Sequence, residues 1–229
     1  MILHAHASSR RLLWLLLSLV TVTTGACRPE SGEKKRTEPA PAKAEAPAAE
    51  QPFEMHGIGG VEGENPAFDQ SRQPAKFIAA LAISPGQRIA DVGAGLGYYT
   101  VRLSEAVGPT GQVVATDIDD DALAKLRARV SERKNIEVRK VPADDPGLEP
   151  GKYDLILLSE VDHFFADRVA YLTKLRAALT PNGRIAVTHL RAMRPPLVAA
   201  AQTAGYTIVS EYNDLPQHYL LFLQPASSQ

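Results

Sequence analysis

Ile89-Ala90-Asp91-Val92-Gly93-Ala94-Gly95-Leu96-Gly97-Tyr98-Tyr99-Thr100 is the stretch on which the architecture turns. A short apolar strand runs into a loop with glycine at every second place, and the loop runs into a helix. Glycine lacks a Cβ and accepts positive φ, so such a loop lets backbone pass close to a ligand. The helix start that follows offers unpaired N–H groups. Asp91 ends the strand, where a carboxylate needs a polar reason to be. The dinucleotide fingerprint G-x-G-x-x-G uses a similar turn for a pyrophosphate. Here the spacing is D-x-G-x-G-x-G, and Tyr98 stands where the third dinucleotide glycine belongs.

On Asp91, Gly93, Gly95 and Gly97 the chain resembles the class I S-adenosylmethionine (SAM)-dependent methyltransferases, whose first motif is an acid followed by alternating glycines. The resemblance covers about residues 70–224. It implies SAM as cofactor, with Asp91, Gly93, Ala94, Gly95 and Gly97 around it. Ala115-Thr116-Asp117-Ile118-Asp119 stands where the family's strand-two acid lies. That acid accepts hydrogen bonds from both ribose hydroxyls, so the resemblance assigns Asp117 to the ribose, with Ile118 beside it. The other reading of Asp117 is a loop acid or helix cap, which suits Asp119, Asp120 and Asp121 better. The family often places an acid for the adenine amino group after strand three. Pro142 occupies that place, leaving Asp144 as the substitute or as a solvated loop acid.

The elements follow outward from the loop. Pro74 suits a first helical position, Phe77, Ile78, Leu81 and Ala82 recur at helical spacing, and Pro85-Gly86 stops the run. Arg88–Val92 is strand one, and Val101, Leu103 and Val107 mark the helix after the loop. Gln112–Thr116, Ile136–Val141, Tyr153–Leu158 and Arg184–Thr188 read as strands two to five, with helices on Leu123, Leu126 and Val130 and on Leu172, Leu175 and Leu179. Pro181-Asn182-Gly183 reads as the stop of the latter. Pro195 to Ala204 reads as a helix, and Tyr206–Ser210 and Tyr219–Leu223 as an antiparallel pair. Strand and helix alternate, which means an α/β fold: a doubly wound, mostly parallel sheet with helices on both faces. The resemblance makes it a seven-stranded, Rossmann-like methyltransferase sheet with an antiparallel last strand. Ligands in such sheets sit at the carboxyl ends of the strands.

Ser159-Glu160-Val161-Asp162-His163-Phe164-Phe165 follows strand four, at the family's fourth motif, which lines the transferable methyl. The resemblance offers Glu160 for the methionine ammonium and Asp162 and His163 as the catalytic pair. An imidazole with an ordinary pKa near 6.5 suits a general base. The other reading is a helix-capping Asp162 beside a surface histidine. His218 reads as structural. No Asn/Asp-Pro-Pro-Phe/Tyr follows strand four, which argues against that motif's methylation of adenine or glutamine amino groups. No Cys/His cluster has metal-ligand spacing. The link His189–Arg194, where the family often builds its substrate roof, is short. An irregular arm over 53–73, with Gly57, Gly59, Gly60 and Gly63, is left to supply a lid, so a small or shallowly bound acceptor is expected.

The 229-residue chain carries a formal net charge of −1, of which residues 1–27 contribute +2 through Arg10 and Arg11. The lack of a basic surplus argues against a nucleic-acid partner held by phosphate contacts. Arg10-Arg11 precede an apolar run, Leu12 to Val20, too short to span a bilayer, so the segment reads as an export signal. It ends at Thr24-Gly25-Ala26-Cys27, which resembles a bacterial lipobox apart from Thr24. The resemblance implies lipidation at Cys27 and a protein on a periplasmic or outer membrane; a plain secretory signal is the alternative. Cys27 is the one cysteine, so no intramolecular disulfide forms. Residues 28–52, rich in Pro, Ala, Glu and Lys, bury too little to offset ordering entropy and read as a disordered tether.

SAM is made inside the cell, so export opens other readings. One is a membrane-tethered, non-catalytic module on the same fold. Another, an NAD(P)-binding enzyme, is disfavoured by Tyr98.

Overall fold

The computed structural model describes residues 66–226, all within one unit, Glu54–Gln229. The expected signal, Cys27, the tether and residues 53–65 of the arm lie outside the described residues. The described chain runs α1 (Pro66–Arg72), α2 (Pro74–Ala80), β1 (Arg88–Val92), α3 (Thr100–Val107), β2 (Gln112–Asp117), α4 (Asp120–Arg129), β3 (Ile136–Lys140), β4 (Tyr153–Ser159), α5 (Arg168–Ala178), β5 (Leu179–Leu190), α6 (Arg194–Thr203), β6 (Tyr206–Tyr212) and β7 (His218–Pro225).

The seven strands form one sheet in the order β3-β2-β1-β4-β5-β7-β6. The first five are mutually parallel. β7 enters antiparallel between β5 and β6. This is the expected sheet. The order reverses between β1 and β4, and open α/β sheets bind ligands at the carboxyl ends of the strands beside such a reversal.

Strand alternation splits the core in two. Leu155 and Leu157 of β4, with Leu220 and Phe222 of β7, pack with Phe77, Leu81, Leu103 and Val107 from α2, α3 and the turn after α2. Ile156 and Leu158, with Leu221 and Leu223, face Leu172, Leu175 and Leu197 of α5 and α6. Both faces of the central strands are covered, which is why they read as continuous apolar runs. Each fully buried leucine contributes roughly 1.5–3 kcal/mol. Two acids cap helices through their side chains: Asp119 accepts from Ala122 N–H and Asp167 from Ala170 N–H.

Two boundaries differ from the sequence reading by more than a residue or two. Residues 66–72, expected as part of an irregular arm, form α1. β5 starts at Leu179 rather than Arg184, because Leu179 already pairs with Tyr153 before the register shifts to Leu155↔Arg184. Pro181 and Asn182 bulge outward at that shift. Gly183 permits it, since a Cβ there would lie 2.6 Å from the Tyr153 carbonyl.

Candidate active site

All three loop glycines have positive φ, at 72°, 54° and 81° for Gly93, Gly95 and Gly97. Their surroundings differ. A Cβ on Gly93 would run into Val161, and one on Gly97 into Leu126, whereas one on Gly95 would meet nothing within 4 Å. Gly93 and Gly97 are therefore explained by packing against the turn after β4 and against α4. Gly95 alone borders open space. Gly93 and Ala94 donate their N–H groups to the Thr116 carbonyl at 2.8 and 3.0 Å, tying the loop to the end of β2.

Asp117 faces this loop. Its Oδ2 accepts the Gly95 N–H at 2.8 Å, and Oδ1 accepts the N–H groups of Ile118 and Asp119 at 2.7 and 3.0 Å. Ile118 is 56% exposed beside it, an apolar side chain offered at the carboxyl edge. Asp91 is buried and accepts from Thr100 Oγ1 at 2.6 Å. Burial pushes its carboxyl up to about 6, against the hydroxyl bond and helped by the Asp117 charge. Asp91 and Asp117 are thus neighbouring carboxyls near the carboxyl ends of β1 and β2, an arrangement that attracts a cation.

Glu160 sits just past β4 with a left-handed φ of 53°. The backbone turns there because its N–H donates to the Thr188 carbonyl at 2.9 Å. Its carboxylate is already held, by His218 Nε2 at 2.7 Å and Arg72 Nη2 at 3.0 Å. Burial alone would raise its pKa, but the His218 bond and the neighbouring Arg72 and His218 charges hold it below the usual value. His218 is buried at the start of β7 and fixes the carboxylate, the structural role expected of it.

Arg72 belongs to α1 and, through Glu160, ties that helix to the turn after β4. Its guanidinium also lies 4.1 Å from the Phe68 ring centroid and 5.3 Å from that of Tyr98. The Tyr98 hydroxyl donates to Asp69 of α1 at 2.6 Å, and Arg102 bonds the Tyr98 carbonyl at 2.6 Å. Tyr98, where a dinucleotide loop needs glycine, is the post to which α1 is tied. The sequence reading missed Arg72, because its helix was hidden in a glycine-rich neighbourhood.

Asp162 and His163 lie in a 3-10 turn after Glu160. Asp162 is fully buried, and burial raises its pKa against the pull of Arg168, His189 and His163. Arg168 Nε stands 3.0 Å from its Oδ2, but donates to the Asp162 main-chain carbonyl at 3.1 Å. Neither carboxylate oxygen has a hydrogen-bond partner among the described residues. His163 is half-buried, its ring packed at a 38° tilt against the exposed ring of Phe164. Its Nδ1 lies 2.9 Å from Nε2 of His189, at the end of β5, and His189 Nδ1 accepts the Leu190 N–H at 2.7 Å. Burial lowers the pKa of both imidazoles.

Ligand atoms of Asp162, His163 and His189 all lie within 4.8 Å of one another, close enough for a metal ion. Linear spacing did not reveal this group, because His189 arrives on another strand. A histidine ligating through one nitrogen normally donates its other N–H outward. At His189 the other nitrogen receives an N–H instead, so the set is built as a hydrogen-bonded one. Asp144 stays apart: its side chain is 87% exposed and its ion-pair partner is Lys174 at 3.9 Å.

Residues 90–185 match the family model for a methyltransferase domain. Nocamycin O-methyltransferase of Saccharothrix syringae is 33% identical over 106 residues, covering 45% of this chain and 38% of that protein. Demethylmenaquinone methyltransferase of Lactococcus lactis is 30% identical over 113 residues, covering 48% and 45%. Aklanonic acid methyltransferase of a Streptomyces species is 32% identical over 137 residues, covering 53% and 62%. The matched stretch is thus under two thirds of each of these relatives. Among solved structures, a SAM-dependent methyltransferase from Aquifex aeolicus superposes with a TM-score of 0.63 at 21% identity, over 69% of this chain and 93% of that one. A cyclase shares the fold at a TM-score of 0.58 and 13% identity, over 69% of this chain and 82% of that one.

Proposed function

We propose that the chain is a class I SAM-dependent methyltransferase acting on a small or shallowly bound acceptor. One observation carries the reading: Gly95 faces open space while its N–H lies on the carboxylate of Asp117, at the carboxyl edge where strand order reverses. A nucleoside fits that cradle. Its ribose hydroxyls would share the Asp117 carboxylate with the Gly95 N–H, and the exposed face of Ile118 would support its flat base. Asp91 and Asp117 supply negative potential for a sulfonium and an ammonium group. SAM brings an already activated methyl group; the protein contributes alignment and the exclusion of water. α1 is pinned beside this cradle, by Arg72 to Glu160 and by Asp69 to Tyr98 of the glycine loop. Glu160 is occupied by Arg72 and His218, so it would reach the methionine ammonium only by sharing its carboxylate.

The apolar run Leu12 to Val20, with Thr24-Gly25-Ala26-Cys27 after it, supports export and lipid attachment as part of the same proposal. Palmitate incorporation into the wild type but not Cys27→Ser tests it; equal labelling refutes it. Export also favours a second reading, a tethered module that binds SAM or another ligand without transferring methyl.

Calorimetry of the full chain decides binding. SAM is expected to bind, NAD not to, and Asp117→Asn to weaken SAM by about tenfold or more, the value of a hydrogen bond to a charged group. Absence of heat with SAM rejects the reading.

A further inference from the structure

The pair His163–His189 has a direction, and the direction bears on what the acceptor is. Leu190 N–H donates to Nδ1 of His189 at 2.7 Å. In a neutral imidazole one nitrogen accepts and the other carries the proton. His189 therefore carries its proton on Nε2, which lies 2.9 Å from Nδ1 of His163. Nδ1 of His163 must then be the acceptor, and its own proton sits on Nε2. That nitrogen has no hydrogen-bond partner among the described residues. The opposite polarity would place an N–H of His189 against the N–H of Leu190, two donors head to head. The main chain of β5 thus sets the tautomer of a side chain two rings away.

We propose that His163 is a fixed N–H donor, with His189 as its positioning residue, and that the acceptor meets it with an already ionised oxygen, a phenolate or an enolate. This replaces the general-base role expected from sequence. Burial keeps both rings neutral at neutral pH, with Asp162, Glu160, Arg168 and His218 as their charged or titratable neighbours. A neutral imidazole N–H stabilises an oxyanion without delivering its proton. The acceptor loses its proton to solvent before the transfer, and the N–H makes that ionisation easier. In the transfer, an electron pair of the oxyanion, or of the enolate carbon, forms the bond to the methyl carbon. The carbon–sulfur bond breaks and its electrons stay on sulfur. His163 neither gains nor loses a proton. An amine acceptor, which must shed a proton during or after attack, finds no lone pair on His163 to take it. The acceptor class rests on the methyltransferase reading; the tautomer does not.

Two measurements on the full chain test the inference without SAM. In a two-bond 15N–1H correlation spectrum of 15N-histidine-labelled protein at pH 7.5, His163 and His189 are expected as Nε2–H tautomers. A Nδ1–H His163 or a tautomer mixture overturns the proposal. In the second, 4-nitrophenolate, titrated at a pH above its own ionisation, is expected to shift the His163 Nε2–H resonance, and neutral 4-nitroaniline is not. His163→Gln, which can still donate, should keep phenolate affinity within about threefold, while His163→Phe loses roughly ten- to hundredfold, the worth of a hydrogen bond to an anion. No phenolate response in wild type, or equal loss in both variants, removes the acceptor class. Absent SAM binding with the tautomers as stated would instead reject the methyltransferase reading and leave the pair's polarity standing.

Discussion

Asp91 and the loop glycines divide the labour of the candidate site, and each makes a separate prediction. A carboxyl raised from 3.8 to about 6 favours the folded state when protonated. Its stabilisation is full below about 3.8 and is lost as pH climbs through about 6, a change of about 3 kcal/mol at 1.36 kcal/mol per unit. Asp91→Asn still accepts from Thr100, so it should match wild type in urea at pH 4 and exceed it by about 3 kcal/mol at pH 8. A pH-independent difference would contradict this. The same variant should weaken SAM, because a bound cation favours the carboxylate. Gly93→Ala meets Val161 at a positive φ and should lose about 2–5 kcal/mol of stability, from strain and overpacking together. Gly95→Ala bears only the strain, about 1–2 kcal/mol, yet should weaken SAM strongly by filling the cradle. Denaturation and calorimetry on both variants separate the two effects; equal behaviour would remove the distinction. The alternation of glycines was plain in the chain. Which one borders open space was not, because Val161 and Leu126 come from distant segments.

At the scale of elements, α1 is the piece that sequence reading missed. A seven-residue helix is marginal alone, and its neighbourhood is rich in glycine. It persists because Asp69 bonds Tyr98 and Arg72 bonds Glu160, tertiary ties that no local pattern displays. Arg72→Ala should raise amide hydrogen exchange in residues 66–72 by roughly tenfold, with the central strands unchanged, as expected for loss of one partly buried ion pair. Unchanged exchange would mean that Arg72 does not fasten the helix. The other elements were legible from their apolar residues, which recur at helical spacing in the helices and run on continuously in β4, both of whose faces are covered. The start of β5 was not, since Pro181-Asn182-Gly183 carries ordinary stop chemistry that a strand bulge uses equally well.

Across the whole molecule, alternation of strand and helix was enough to foretell the sheet, and the last hairpin its antiparallel end. The grouping of Asp162, His163 and His189 was beyond linear reading, because β4 and β5 bring it together only when paired. Glu160 was placed correctly after β4, but its partners Arg72 and His218 come from opposite ends of the domain. Sequence therefore marked the glycine loop and the acids after the strands, and folding decided which partners each of them meets. If Asp117 and Gly95 cradle a nucleoside, a crystal structure of the full chain with S-adenosylhomocysteine will show both ribose hydroxyls within hydrogen-bond distance of the Asp117 carboxylate and the base against Ile118. Ligand bound elsewhere, or an Asp117 that keeps only its present main-chain bonds beside bound ligand, would rule that cradle out.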